Sequence, residues 1–224
     1  FKVEAQAGAP QIAYRETITA PAEGRGLFKK QSGGRGQYGD ATITIEPNER
    51  GSGIEIESKI VGGSIPREFI PAVQKGIKET IQGGVLAGYE MIDLKVTIVD
   101  GSYHEVDSSE IAFKMAGILA TKEAVNKAGA VLLEPMMKVE ATTPDEYQGD
   151  IIGDMNRRRG EVEGIDSKSS GTVITAKIPL ATMFGYATDI RSLSSGRASY
   201  SMEPYRFEQV PNSISEEILD KIKK

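Results

Sequence analysis

A basic, glycine-rich stretch near the start of the chain has the residue types needed to contact phosphate. Between Glu23 and Asp40 the sequence contains no acidic residue. It contains four cations, Arg25, Lys29, Lys30 and Arg35, and Gly33, Gly34, Gly36 and Gly39 interrupt its second half. Backbone N–H groups and cations that no neighbouring side chain obstructs can lie close to phosphate oxygens. The stretch therefore favours contact with RNA or another polyanion, and a solvated, flexible hairpin is the alternative.

The single histidine of the chain, His104, lies in a polar segment between a predicted strand and a predicted helix. It could act as a general base oriented by Glu105 or Asp107. Ser102 or Ser108 would then be the nucleophile. Catalytic triads draw their members from distant parts of a fold, whereas these residues are all neighbours in sequence. The pattern favours a surface contact residue over a catalytic one.

Three consecutive arginines, Arg157, Arg158 and Arg159, close a predicted helix in the second half of the chain. Cations at that end complement the helix dipole, so a solvated helix end accounts for them, and contact with RNA phosphate is the functional alternative. Further on, the apolar and aromatic residues of 183–187 are predicted to belong to the core.

The composition excludes several other chemistries. The 224 residues carry 27 Lys and Arg against 32 Asp and Glu, a net charge of −5, with 39% hydrophobic residues, as in ordinary globular proteins. The absence of cysteine excludes disulfides, thiolate zinc sites and cysteine nucleophiles. No Gly-Lys pair occurs, so the chain cannot supply a Walker A loop. No apolar run approaches the roughly 18 residues of a membrane span, and we expect a cytosolic protein.

Periodicity and turn residues predict the elements that must position these side chains. The first half is predicted to follow the order βββαβα, with strands at residues 11–19, 41–46 and 53–60, a helix at 67–82, a strand at 91–99 and a helix at 108–128. In the first helix Phe69, Val73, Ile77 and Ile81 form one apolar stripe. Asp107, followed by Glu110, is the predicted N-cap of the second.

The second half is predicted to follow the order βαββαβ, the split arrangement of ferredoxin-like domains. Its elements are a strand at residues 130–141, a helix that begins with Thr143 as N-cap and stops at Gly160, strands at 161–166 and 172–178, a helix at 180–195 and a strand at 198–202. A short helix at 214–222 ends the chain. Because the chain begins at Phe1 in the middle of a pattern, we expect a piece of a longer protein.

Five motifs follow one another along nearly the whole chain. They are QSGGRGQYG at residues 31–39, GGSIP at 62–66, GSYHEVDSSE at 101–110, GDIIGD with RRRG at 149–160, and MFGYAT at 183–188. On these residues the chain closely resembles the C-terminal half of bacterial elongation factor G, the GTPase that drives translocation on the ribosome.

The resemblance implies an α+β fold with two α/β sandwich domains. The first would be a left-handed βαβ domain of the ribosomal-protein type, against the usual right-handed rule, and the second a ferredoxin-like βαββαβ domain. Residues 1–8 would be the tail of a preceding domain, 9–128 domain IV, 129–210 domain V and 211–224 the C-terminal helix.

The resemblance also implies a role for two loops. In the family, domain IV is an arm whose tip enters the decoding region of the A site and contacts transfer RNA and messenger RNA. Residues 32–37 match one loop of that tip and 103–105 the other, so they would meet in space. The implied RNA-binding residues are Ser32, Gly33, Gly34, Arg35, Gly36, Gln37, Tyr103, His104 and Glu105. Lys29, Lys30, Arg157, Arg158 and Arg159 are further candidate RNA contacts.

The remaining implications concern partners and cofactors. Domain V of the family packs near the stalk base of the large subunit and the sarcin-ricin loop. GTP and Mg²⁺ would be bound by an N-terminal GTPase domain outside this chain, which would itself hold no catalytic residue, cofactor or metal. A monomeric, cytoplasmic factor that binds ribosomes and no membrane is expected.

Two alternatives and one departure stay open. A small-molecule kinase with the same left-handed fold would need a phosphate-binding loop at a helix start, which the sequence lacks. A ribosome-rescue or ribosome-protection paralogue would use a similar arm, although the intact motifs at 32–37 and His104 favour the translocase. Asp40 stands where many relatives carry histidine, and a carboxylate there would repel phosphate, which argues against direct RNA contact at that position.

Overall fold

The computed structural model describes residues 11–31 and 33–224. The chain divides into two compact units, the first formed by Tyr14–Leu133 with Gln209–Lys224 and the second by Glu134–Glu208 with residues 11–13. The first unit extends to Leu133, whereas the second domain was predicted to begin at Gly129. The C-terminal helix belongs to the first unit. The predicted tail at residues 1–8 lies outside the described residues.

The first unit contains a four-stranded sheet and two long helices. Its elements are β1 (Arg15–Ile18), β2 (Ala22–Lys30), β3 (Gln37–Pro47), β4 (Ile54–Ser58), α1 (Ile70–Gly83), β5 (Leu94–Ser102) and α2 (Glu110–Ala128). The sheet has the order β2-β3-β5-β4, in which β4 and β5 are parallel and the other pairs antiparallel. The segment β4–α1–β5 is therefore the parallel crossover to which the resemblance assigns a left hand, and that hand stays a prediction.

Strand β2 was missed by the sequence prediction because glycines occupy the positions that face the core. A Cβ atom at Gly26 would lie 1.9 Å from the carbonyl oxygen of Ala116, and one at Gly24 would lie 2.3 Å from that of Ala120. Both carbonyls belong to α2, which presents buried alanines to the strand. Glycine weakens the apolar alternation by which a strand is recognised, and here it allows a strand to lie against a helix backbone.

The predicted apolar stripe of α1 is confirmed. Val73, Ile77 and Ile81 are buried in the core of the first unit, and Phe69 packs against that core from a short 3-10 turn that precedes the helix. Phe69 also stacks on Phe113 of α2, with ring centroids 5.0 Å apart. This packing fixes both helices on one face of the sheet.

The predicted N-cap of α2 is wrong by two residues. Ser109, not Asp107, occupies the cap, and its hydroxyl accepts a hydrogen bond from the backbone N–H of Ala112 at 3.1 Å. Ser109 has the extended backbone that a cap requires, and its hydroxyl reaches the third residue of the helix. Asp107 is thereby left in the loop before the helix.

The second unit has the predicted βαββαβ order. Its elements are β6 (Ala130–Thr143), α3 (Gln148–Arg157), β7 (Glu161–Lys168), β8 (Gly171–Pro179), α4 (Tyr186–Leu193) and β9 (Ser199–Gln209). Strand β6 pairs with β9 and β8, and β7 pairs with β8. In the first unit, residues 130–133 of β6 pair with β1, and α5 (Asn212–Ile222) ends the chain. The two sheets and the mixed elements confirm the α+β, two-domain class.

Two helix starts in the second unit differ from the prediction. Thr143 is the last residue of β6 and not an N-cap, since a short 3-10 turn over Asp145–Tyr147 precedes α3. The predicted helix at 180–195 is divided into a 3-10 turn at Leu180–Thr182 and α4, with Gly185 at a φ of 75° between them. In the described part of the chain, no helix is both long and apolar enough to cross a bilayer.

Candidate nucleic-acid interface

The basic stretch forms a hairpin at one end of the first unit's sheet. Strands β2 and β3 pair from Ala22↔Ile45 to Lys30↔Gln37, and the turn between them, residues 31–36, is called the hairpin loop here. Lys29, Lys30 and Arg35 are exposed, and none of the three has an ion-pair partner within residues 11–31 and 33–224. Their charge is available to an anionic partner. Ser32, one of the predicted contact residues, lies outside the described residues.

His104 lies in a second turn, residues 103–108, called the histidine loop here. Its side chain is 56% exposed. The ring Nδ1 accepts backbone N–H groups of Val106 at 3.4 Å and Asp107 at 3.3 Å. The Nδ1 atom, which also lies 3.7 Å from Oδ2 of Asp107, faces the loop, so Nε2 is the ring nitrogen left to donate. The imidazole can therefore donate one hydrogen bond to a partner outside the loop.

The structure brings the two loops together, as the resemblance implies. The backbone N–H of Tyr38 donates to the carbonyl oxygen of Asp107 at 2.9 Å, and Tyr38 forms a parallel bridge with Ser108. The rings of Tyr38 and His104 lie 6.2 Å apart. A Cβ atom at Gly36 would lie 2.9 Å from the carboxylate of Asp107, so the hairpin loop packs directly on the histidine loop. We call the two loops together the tip.

The serines near His104 are engaged elsewhere, which argues against either of them being a nucleophile activated by His104. Ser108 accepts a hydrogen bond from the backbone N–H of His104 at 2.9 Å. Ser102 donates to the carboxylate of Asp40 at 2.6 Å. Neither hydroxyl is paired with the imidazole as a nucleophile would be with its base. Within the described ranges, no three His, Asp or Glu side chains come together as a metal site either.

Asp40, the position that departs from many relatives, is part of an internal ion pair. Its side chain is only 6% exposed, and its two carboxylate oxygens accept hydrogen bonds from Nε and Nη2 of Arg25 at 2.9 and 3.0 Å. Burial raises the pKa of Asp40, but the hydrogen bonds from Arg25 and Ser102 outweigh it and hold the pKa below its ordinary value. The charge of Asp40 is therefore compensated inside the protein instead of facing a phosphate.

The glycines of the basic stretch do not share one role. Gly39 lies in β3, where a Cβ atom would meet the carbonyl oxygen of Ala112 at 2.4 Å, so this glycine allows contact with α2. Gly33 has a φ of 45° with open space around its Cβ position, as expected for a glycine within a turn. The prediction of a phosphate-binding glycine loop thus applies to residues 33–36 and not to Gly39.

The three arginines of the second unit have different surroundings. The guanidinium of Arg158 is 10% exposed and hydrogen-bonds Asp154, Asp189 and the carbonyl oxygens of Thr182 and Phe184. Four of the five N–H donors of this enclosed guanidinium are bonded within the protein, which argues against its assignment as a candidate RNA contact.

The neighbours of Arg158 and the apolar segment after it are more accessible. Arg159 forms a two-bond pair with Glu134 at 2.8 and 3.0 Å. Arg157 is 72% exposed beside Asp154. Phe184 was predicted to be core but is 52% exposed, and Met183 and Tyr186 on either side of it are buried. Arg157 and Phe184 are the accessible members of these two motifs.

Sequence reasoning did not identify the network of Arg25, Asp40, Ser102 and Tyr38. The available signal was the alternation of strand positions, since Arg25 on β2 and Asp40 on β3 lie on the same face in neighbouring rows. That signal depended on recognising β2, which the glycines concealed. The position of Asp40 opposite Ser102 on β5 also follows only from the register.

Comparisons with known proteins agree with this architecture. The family model described as elongation factor G, domain IV, matches residues 10–129, and the model described as elongation factor G C-terminus matches residues 131–218. A crystal structure of a protein from Thermus thermophilus superposes with a TM-score of 0.84 at 38% sequence identity. The match covers 96% of this chain and 32% of that one, so the chain spans about a third of the length of this relative.

Proposed function

Because the chain belongs to the elongation factor G family, with both its domain IV and its C-terminal domain present, we propose that it is the ribosome-binding part of a translocase. In this proposal the tip enters the A site during GTP-dependent movement of transfer RNA and messenger RNA. GTP and Mg²⁺ are bound by an N-terminal domain of the longer protein, which acts as a cytoplasmic monomer. The second unit contacts the large subunit near the stalk base and the sarcin-ricin loop.

The observation that carries the proposal is the chemistry of the tip. Lys29 and Lys30 at the end of β2 and Arg35 in the tip are exposed and have no ion-pair partner among the described residues. They belong to the hairpin that packs on the histidine loop, where His104 has a ring nitrogen left to donate. Cations and N–H donors are the groups that contact phosphate and sugar oxygens in RNA. The buried carboxylate of Asp40 nearby is neutralised by Arg25. Lys29, Lys30 and Arg35 then stand against the two carboxylates of the histidine loop, Glu105 and Asp107, which leaves a local charge of 3 − 2 = +1 although the chain carries −5. Local charge governs such contact more than net charge does.

A substitution of His104 tests the proposal. His104→Ala, placed in the full-length factor, is expected to slow translocation roughly five- to a hundredfold, since one or two hydrogen bonds to RNA are worth about 1–3 kcal/mol. GTP hydrolysis should stay nearly unchanged, because the residue belongs to the arm and not to the nucleotide site.

Two further variants make the test specific. His104→Gln retains an amide donor and should recover part of the rate, and Val106→Ala, at an exposed neighbour, should have no effect. Equal loss of translocation and GTP hydrolysis would point to misfolding and speak against the proposed role. A factor that releases a ligand from the A site but never advances messenger RNA would instead be a rescue or protection paralogue.

A further inference from the structure

We propose that Asp40 is a positioning residue which, through Ser102 and Tyr38, fixes the hairpin loop against the histidine loop and so determines where His104 stands. The consequence for the ribosome rests on the proposed function. The positioning itself is a property of the chain and can be measured without a ribosome.

Asp40 lies near the strand ends from which both loops extend. Strand β3 begins at Gln37, directly after the hairpin loop, and β5 ends at Ser102, directly before the histidine loop. Asp40 and Ser102 are cross-strand partners in the register of β3 and β5. A contact between these two side chains therefore links the start of β3, after the hairpin loop, to the end of β5, before the histidine loop.

The two hydrogen bonds that connect Tyr38 through Ser102 to Asp40 have a fixed donor and acceptor order. An ionised carboxylate only accepts, so the single hydroxyl proton of Ser102 goes to Asp40 across 2.6 Å. The hydroxyl of Tyr38 lies 2.6 Å from the oxygen of Ser102 and must then be the donor in that contact. Tyr38 is thus held by its hydroxyl at the end of β5 and by its backbone N–H at Asp107 of the histidine loop.

Arg25 completes the network from the edge strand. It donates two hydrogen bonds to the same carboxylate, so Asp40 accepts three in all. An amide at position 40 offers one acceptor oxygen and adds two donors, and it cannot accept all three bonds. Asp40→Asn therefore has to lose a bond to Arg25 or reverse the hydroxyl of Ser102, which would turn Tyr38 from donor into acceptor. Either change alters the chain of hydrogen bonds that orients Tyr38.

The single histidine of the chain provides a direct readout. Its imidazole gives one set of ring signals in heteronuclear NMR spectra of the full chain, and the ring of Tyr38 lies 6.2 Å from it. We expect Asp40→Asn to shift and broaden the His104 ring signals, while the unfolding transition stays cooperative. Tyr38→Phe, which removes one hydroxyl and keeps the ring, should shift the same signals by a smaller amount.

Asp93 offers a matched control in the same sheet. Its carboxylate is buried and accepts from Arg50 at 3.2 Å and from the backbone N–H of Gly53 at 2.9 Å. It precedes β5 at the end opposite Ser102, roughly 30 Å away along the strand. Its φ of 58° is one that asparagine tolerates, so Asp93→Asn removes a buried charge without a new backbone conflict. This variant should leave the His104 signals in place.

The result that overturns the inference is a folded Asp40→Asn chain with unchanged His104 signals, or equal shifts from Asp93→Asn. If Asp40→Asn does not fold, Tyr38→Phe takes its place, and unchanged His104 signals in folded Tyr38→Phe then overturn the inference. In the full-length factor, Asp40→Asn should slow translocation about tenfold or more, since misplacing a positioning group by about 1 Å can cost on the order of a hundredfold. If Asp40→Asn shifts the His104 signals but Asp40→Asn and His104→Ala both translocate at the normal rate, the positioning is supported and the proposed function is refuted.

Discussion

Arg35 gives the sharpest quantitative prediction, because the tip presents it to solvent with its charge uncompensated. It is exposed in the hairpin loop beside Gly33, whose φ of 45° turns the chain, and no described carboxylate is paired with it. A guanidinium in that setting can contact phosphate with two parallel N–H donors. Arg35→Ala removes this contact without touching the core, so the fold should be unaffected.

The magnitude follows from counterion release. Each phosphate contact contributes about 0.7 to 0.9 to the slope of log affinity against log salt. A fourfold rise in salt, from about 50 to about 200 mM, therefore weakens binding by about threefold per contact. If Lys29, Lys30 and Arg35 each neutralise one phosphate, the tip contributes a slope of about 2 to 3, and Arg35→Ala should reduce it by a little under one.

The assay is the translocation rate at subsaturating factor across a potassium series with Mg²⁺ held constant. The advantage of the wild type over Arg35→Ala should fall about threefold from the lowest to the highest salt. Lys122→Ala makes the same change in charge at an exposed position in the C-terminal half of α2 and should leave the slope unchanged. Parallel lines for wild type and Arg35→Ala would refute the contact, and an equal change from Lys122→Ala would show only an effect of net charge.

Three other predictions concern stability and nucleotide chemistry. Gly26→Ala should destabilise the first unit by about 1–3 kcal/mol or more in urea unfolding, because the added Cβ would lie 1.9 Å from a backbone carbonyl oxygen of α2. Gly83→Ala, at a helical position with open space, should cost nothing. For Asp40, whose folded pKa lies below the ordinary 3.8, the stability gained from ionisation is complete above that value and is lost as the pH falls through the folded pKa. The difference in unfolding free energy between wild type and Asp40→Asn should therefore be constant near neutral pH and shrink below about pH 4 in acid titrations. The purified chain should not hydrolyse GTP, since it has no Gly-Lys pair for a phosphate-binding loop; turnover that survives repurification and scales with the chain would contradict this.

The sequence predicted most elements whose apolar pattern is complete. The stripe of α1 and the βαββαβ order of the second unit were predicted because burial of one face of an element requires apolar residues at regular spacing. Strand β2 was not found, because contact with the backbone of α2 requires glycine at Gly24 and Gly26 and removes the pattern itself. Close packing by glycine is recognised only when the partner helix is known.

The contact residues of the tip were predicted from the sequence motifs, whereas the hydrogen bonds and ion pair that hold the tip in place were not. Exposed cations and the lone histidine are local features of the sequence, and the structure leaves Lys29, Lys30, Arg35 and His104 accessible. The pairing of Asp40 with Arg25 depends on strand register, which a shift of one residue would reverse. The prediction that Arg158 contacts RNA meets a related difficulty. A charged residue at the end of a helix can be recognised in the sequence, but its enclosure by a neighbouring loop cannot.

The central claim, that the tip reaches RNA in the A site, can be tested by directed hydroxyl-radical cleavage. The chain contains no cysteine, so Gln31→Cys and Val106→Cys can each carry a tethered iron chelate at an exposed tip position outside the assigned contact residues. In an otherwise cysteine-free full-length factor bound to translocating ribosomes, both positions should cleave decoding-region RNA and the transfer RNA leaving the A site. Lys122→Cys should cleave neither. Absence of cleavage from positions 31 and 106 in a factor that is stably bound, or equal cleavage from position 122, would contradict the account.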